Sequence, residues 1–451
     1  MDNTSAPNVF PLLDTTRINT GIDRQNPAVA RKGDYLPTYK LIPPVVGIWA
    51  GFFVLLLYVM FARPVFAVIE IPPQVEVIAS NLWYPNSILV DADNVYWNER
   101  YYNPSGGSVC GIAKKKLADL HLNLSPTYYY PPHCDTVLSS QDMAQDSQYI
   151  YFPIELDLVK PEDTYLIETL CRVPKSNFSP MDDLLDYDFE NDGYTPDGVG
   201  TGFIGFLTVR NGNVYFVTDN FWYREKLEIY RVPSGGTGNV NNVILLADIS
   251  DFSQLVYSVT GLETDNSYVY WIQATSFGGS VIRRVPQSGD TMETIATLLG
   301  LATSLVVHST IDGTYMFWLE VDLDSSSTFL KMRNPQGQIS VLVQASPSDQ
   351  GSVDIPSWYS YATRALAVDD TYVYFFRHDP SGDDHVARVP FKVGADIQVF
   401  QYAKVINPMA IAVDKTHVYW TDFGISPGLG TVKRVPKPRK SKPWLPLLLD
   451  E

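Results

Sequence analysis

A ten-residue pattern of apolar and polar positions recurs along the chain: a short apolar run, a polar turn opened by Asp, and an apolar run ending in aromatics. Copies stand at residues 88–97, 143–152, 207–216, 262–271, 309–318, 366–375 and 411–420. Each reads as two short strands joined by a tight hairpin, the second centred on Tyr96, Tyr151, Tyr215, Tyr270, Phe317, Tyr374 or Tyr419. These aromatics are spaced 45 to 64 residues apart, room for four short strands per repeat. Asp stands five positions before the aromatic in six copies (Asp91, Asp146, Asp265, Asp312, Asp369, Asp414), and Arg210 replaces it in the third. Asp accepts hydrogen bonds from the amides of a following turn, so the repeat needs it for local geometry.

A third strand ends in Arg-Val-Pro at residues 172–174, 231–233, 284–286, 388–390 and 434–436, where Pro stops the ladder. A fourth follows, as at 243–247, 339–343 and 397–400. The recurring Arg reads as a structural ion pair or a solvated outer strand rather than an anion-binding ring. Seven four-stranded repeats predict an all-β fold, a seven-bladed β-propeller over 74–436, with six or eight blades as alternatives. The last repeat supplies only three strands before Pro436, and residues 74–79 form an unpaired strand ahead of the first repeat. That strand is expected to complete the last blade.

Residues 41–62 carry no charge over 22 positions, and about 20 suffice to span a bilayer. The reading is a transmembrane helix over 41–63, with Trp49 and Tyr58 toward the interfaces and Arg63-Pro64 ending it. Arg24, Arg31, Lys32 and Lys40 precede the span, whereas Arg63 alone follows closely, which places the N-terminus in the cytoplasm and the propeller on the periplasmic or extracellular side. Residues 1–40 are polar and aperiodic and read as an extended cytoplasmic arm. The tail 437–451 is basic and then apolar, and Arg439, Lys440, Lys442 and Trp444 are candidates to meet lipid head groups or a partner subunit.

Composition narrows the function classes. With 33 basic against 50 acidic residues the net charge is −17, which argues against nucleic acid as a partner. Three cysteines exclude a disulfide framework and a four-thiolate zinc site, and six histidines leave little for a multi-histidine centre.

Tyr419-Trp420-Thr421-Asp422, preceded by Ile411-Ala412-Val413-Asp414, resembles the YWTD repeat of lipoprotein-receptor-type propellers and their bacterial relatives, a repeat class akin to the NHL propellers. The other copies are degenerate, such as Tyr96-Trp97-Asn98-Glu99. The resemblance implies an extracytoplasmic propeller that binds macromolecules through its faces, with no catalytic residues to carry over.

Candidate chemistry is sparse. Asp188, Glu190, Asp192 and Gly193 approximate the start of a calcium loop, although Val199 stands where the closing acid belongs. Cys110 falls on the third strand of the first repeat and Cys134 just before its fourth, which makes them a candidate disulfide and leaves Cys171 over. Enzymes of this architecture point acids and histidines from innermost strands into the channel, and His308 is the histidine near such a strand; it reads as structural. No Walker loop, H-E-x-x-H or G-x-S-x-G motif is present. These features lead to the expectation of a non-catalytic, membrane-anchored accessory or scaffolding subunit of a multi-subunit membrane complex, without cofactor. Its partners would be other membrane subunits, met through the arm, the helix and a propeller face. The alternatives are a surface receptor or adhesion module for a soluble ligand, and a calcium-dependent, lactonase-like hydrolase with a dispersed site.

Overall fold

The computed structural model describes residues 74–438 apart from 104–106, 123, 131–141, 160–163, 180–181, 185–202, 221–225, 237–241, 251–255, 276–277, 346–363, 379–382 and 427. These residues form seven four-stranded antiparallel sheets, the blades of an all-β propeller. The first strand of each blade is innermost: Ile88–Val90, Ala144–Gln145, Phe203–Arg210, Val256–Thr264, Leu301–Thr310, Leu366–Val368 and Pro408–Val413. These strands meet their counterparts in neighbouring blades and so wall the central channel.

Blade seven closes the ring. Its outer strand is Glu76–Leu82, from the N-terminal end of the propeller, paired antiparallel with Gly430–Pro436. Arg434 bridges to Glu76 at 2.6 Å across that seam. The first strand therefore starts, and the last one ends, on the same face of the ring.

The hairpins explain the repeated Asp. In blade one, Asp91 Oδ1 accepts the amides of Asp93 (3.0 Å) and Asn94 (2.8 Å), while Oδ2 accepts the Tyr96 hydroxyl at 3.0 Å. The same arrangement holds at Asp146 with Tyr151, Asp265 with Tyr270, Asp369 with Tyr374 and Asp414 with Tyr419. One carboxylate thus orders the turn and satisfies the hydroxyl of a buried aromatic. Blade three departs from this. Arg210 pairs directly with Asn213 around Asn211 (φ 51°) and Gly212 (φ 72°), a two-residue Asn-Gly hairpin that matches strand twist and needs no side-chain cap. The Tyr215 hydroxyl is consequently buried without a hydrogen-bond partner.

Trp97, Trp271, Trp318 and Trp420 are fully buried between sheets, together with Tyr96, Tyr151, Tyr215, Tyr374 and Tyr419. Blades are also stitched to each other by polar contacts. Lys114 and Arg231 donate to the carbonyls of Lys175 (2.8 Å) and Gln287 (2.7 Å) in the next blade, as Arg172 does to Ser234. In the opposite direction Lys175 and Lys437 reach back to Asp91 (3.0 Å) and Asp369 (2.7 Å). Arg284 pairs with Glu293 within its blade at 2.7 Å. The recurring basic position is a structural fastening.

Candidate functional site

Three charged residues on or just before inner strands converge. Asp142 stands two residues before the inner strand of blade two, Glu263 lies on that of blade four, and Arg364 stands two residues before that of blade six. Arg364 Nε donates to Asp142 Oδ1 at 3.0 Å, and its Nη2 contacts the carbonyl of Leu207, on the inner strand of blade three, at 3.4 Å. In a closed ring of seven, blade six stands opposite blades two and three. The Arg364 side chain therefore crosses the central axis.

Asp142 is 2% exposed and its oxygens are committed: Oδ1 also accepts the Met143 amide (2.9 Å), and Oδ2 accepts the Leu207 amide (3.2 Å). Arg364 keeps 23% of its side-chain surface accessible. Thr208 Oγ1 stands 3.5 Å from Glu263 Oε2 at the inner face of blades three and four.

Glu263 is the chemically distinctive member. Burial raises its pKa; Arg364 pulls it down, the Asp142 charge pushes it up again, and it settles at about 7 from an ordinary 4.5. Burial opposes the charge of Arg364, but Asp142 and Glu263 more than compensate and hold it firmly cationic. A carboxyl poised near neutrality can both accept and return a proton at physiological pH.

Sequence reasoning passed over this cluster because it sought motifs and histidines. The signal was positional. Glu263 stands seven residues before its anchor aromatic, where the other copies carry Leu89, Ala144, Thr208, Thr310, Ala367 and Ala412. A lone acid at an inner-strand position otherwise kept small or apolar is what the channel would reveal. His308, by contrast, packs edge-on against Phe391 and lies 3.6 Å from Asp370, inside the wall between blades five and six. Ser304 is 2% exposed in left-handed backbone (φ 57°), and no base contacts it among the described residues.

Other expected site residues fall elsewhere. Cys110 is on the strand Gly107–Lys116, and Cys134 lies outside the described residues. Cys171 is fully buried in the core. Asp188, Glu190 and Asp192 of the acidic loop also lie outside them, as do Trp49, Tyr58, Arg439, Lys440, Lys442 and Trp444. Among the described residues no group of three or more His, Cys, Asp or Glu stands together as a metal site. Among them, too, no helix is long and apolar enough to cross a membrane.

No protein-family model and no curated protein matches the chain. Solved structures do. The β-propeller domain of the trilobed protease from Pyrococcus furiosus is 11% identical, with a TM-score of 0.50 over 78% of this chain and 95% of that one. An acylaminoacyl peptidase in complex with a chloromethyl ketone is 10% identical, with a TM-score of 0.50 over 79% of this chain and 52% of that one. A puromycin-hydrolyzing peptidase of Mycobacterium tuberculosis is 11% identical, with a TM-score of 0.49 over 80% and 53%.

The likeness is one of propeller fold, and the chain spans about half the length of the two full peptidases. These neighbours are proteases or peptidases matched through their propellers, and that counts against the expectation of a non-catalytic accessory subunit. A site assembled from single residues on separate blades would leave no local motif in the sequence. No matching family model supports the YWTD or NHL type of repeat specifically.

Proposed function

We propose that this chain is a hydrolase whose working site is the central channel, with Glu263 as its proton-transfer group. The observation that carries the reading is a carboxyl held at about 7 on an inner strand, beside a cation fixed across the axis. In this reading water attacks a substrate carbonyl while Glu263 accepts its proton. Glu263 then returns that proton to the leaving nitrogen or oxygen, so that one C–O bond forms and one C–N or C–O bond breaks. Arg364 holds the substrate beside Glu263, and Asp142 keeps the guanidinium in place. Calcium has no step in this mechanism. The peptidase character of proteins that share the fold supports amide and ester substrates.

The proposal includes location: residues 41–62 tether the chain to a membrane, and the ring stands on the non-cytoplasmic side. Basic residues before that segment and their scarcity after it support this orientation.

The test is turnover of chromogenic peptide amides and esters by the full chain in detergent, between about pH 5 and 9. Hydrolysis rising through neutrality, and reduced about a hundredfold or more in Glu263→Gln, is the expected result. A chain inert on the whole panel, or one whose turnover is unaltered in Glu263→Gln, overturns the proposal.

A further inference from the structure

We infer that the channel receives its substrate by a free carboxylate, held on the outward edge of the Arg364 guanidinium; this rests on the channel being the working site. A guanidinium has two edges that can bind an acid in a fork, one formed by Nε and one terminal nitrogen, the other by the two terminal nitrogens. Here Nε and Nη2 face Asp142 and Leu207. The remaining edge, Nη1 with the outer hydrogen of Nη2, has no partner among the described residues, and the side chain keeps 23% of its surface accessible.

The neighbours of Arg364 favour an acid as the missing partner. Asp142 accepts from Arg364 through one oxygen and spends the other on the Leu207 amide, so it positions the guanidinium without covering it. Glu263 sits close enough to interact electrostatically with Arg364. A ligand carboxylate on the open edge would place the adjoining carbonyl of the same molecule near Glu263, the arrangement needed to cleave the bond next to a terminal residue. The substrate class is therefore a short peptide or acylated amino acid with an unblocked C-terminus.

The experiment is calorimetric titration of the full chain in detergent with N-acetyl-alanyl-alanine and, in parallel, with its C-terminal amide. The acid is expected to bind at least about tenfold tighter than the amide. Arg364→Met should abolish the preference. Because that change also removes a cross-axis fastening, Asp142→Asn provides the second arm. It keeps an acceptor for Arg364 but removes a competing charge, so acid binding should tighten about threefold while the melting temperature falls. Equal binding of acid and amide overturns the inference, as does an Asp142→Asn protein that is folded yet binds the acid more weakly. Failure here with turnover intact leaves the hydrolase reading standing; preferential acid binding without turnover removes the hydrolase reading and keeps the receptor edge.

Discussion

The Asp-capped hairpins and the central channel use the same residue types to opposite ends. At the hairpins an Asp is surrounded by donors: burial alone would raise Asp369, yet Lys437, the Tyr374 hydroxyl and the turn amides outweigh it and hold the group at about 2. In the channel Glu263 accepts from the Thr264 amide and, at long range, from Thr208, beside an acidic neighbour and a shared cation, and burial leaves it at about 7. Repetition explains the difference. A group that five blades use for folding is satisfied in each of them, whereas a group that appears once is where reactivity can reside.

Five substitutions would sharpen or break that contrast. The largest effect is expected from Trp420→Ala, which empties a fully buried site between blades and should cost about 3–5 kcal/mol in denaturant unfolding. Next is Asp414→Ala, which strands two turn amides and the Tyr419 hydroxyl and should cost about 2–3 kcal/mol, with a much smaller loss at Asp312, which has no tyrosine to serve.

Glu263→Gln should act in the other direction. The folded group takes up its proton below about 7, whereas in the unfolded chain it ionises near 4.5, so the native state loses stability as pH climbs between these values. The Gln variant should match the parent at about pH 4 and exceed it at about pH 8 by on the order of 1–3 kcal/mol, read from parallel melts. A smaller gain, about 1 kcal/mol, is expected from Arg210→Asp, which offers the buried Tyr215 hydroxyl the acceptor that five other blades supply. The opposite sign would mean that the Asn211-Gly212 hairpin already holds blade three in a geometry the carboxylate cannot serve. Asp369 completes the set: its depressed value adds stability that is present above about 4 and lost as pH falls through about 2, and Lys437→Met should shrink that acid-sensitive portion.

What could be read from the chain divides along the same line. Tyr96-Trp97 and its six counterparts announced the blades, because an aromatic strand buried between sheets must recur wherever a blade meets its neighbours. Asp91 and its counterparts announced the hairpins for a similar reason. Arg364, Asp142 and Glu263 are separated by more than a hundred residues at each step, and only ring closure makes blade six face blades two and three. No window of sequence contains that proximity. Glu263 was still visible as an acid at a position otherwise apolar or hydroxylic, a departure that seven aligned repeats expose and a motif search does not.

The central claim is that the channel holds a carboxyl able to exchange protons near neutrality, and the most direct measurement is its titration. Infrared difference spectra of the full chain, parent minus Glu263→Gln, should show a carboxyl band converting to carboxylate with a midpoint near pH 7. A midpoint near 4.5, the ordinary value for Glu, would show the channel to be as well satisfied as the hairpins and would contradict the account.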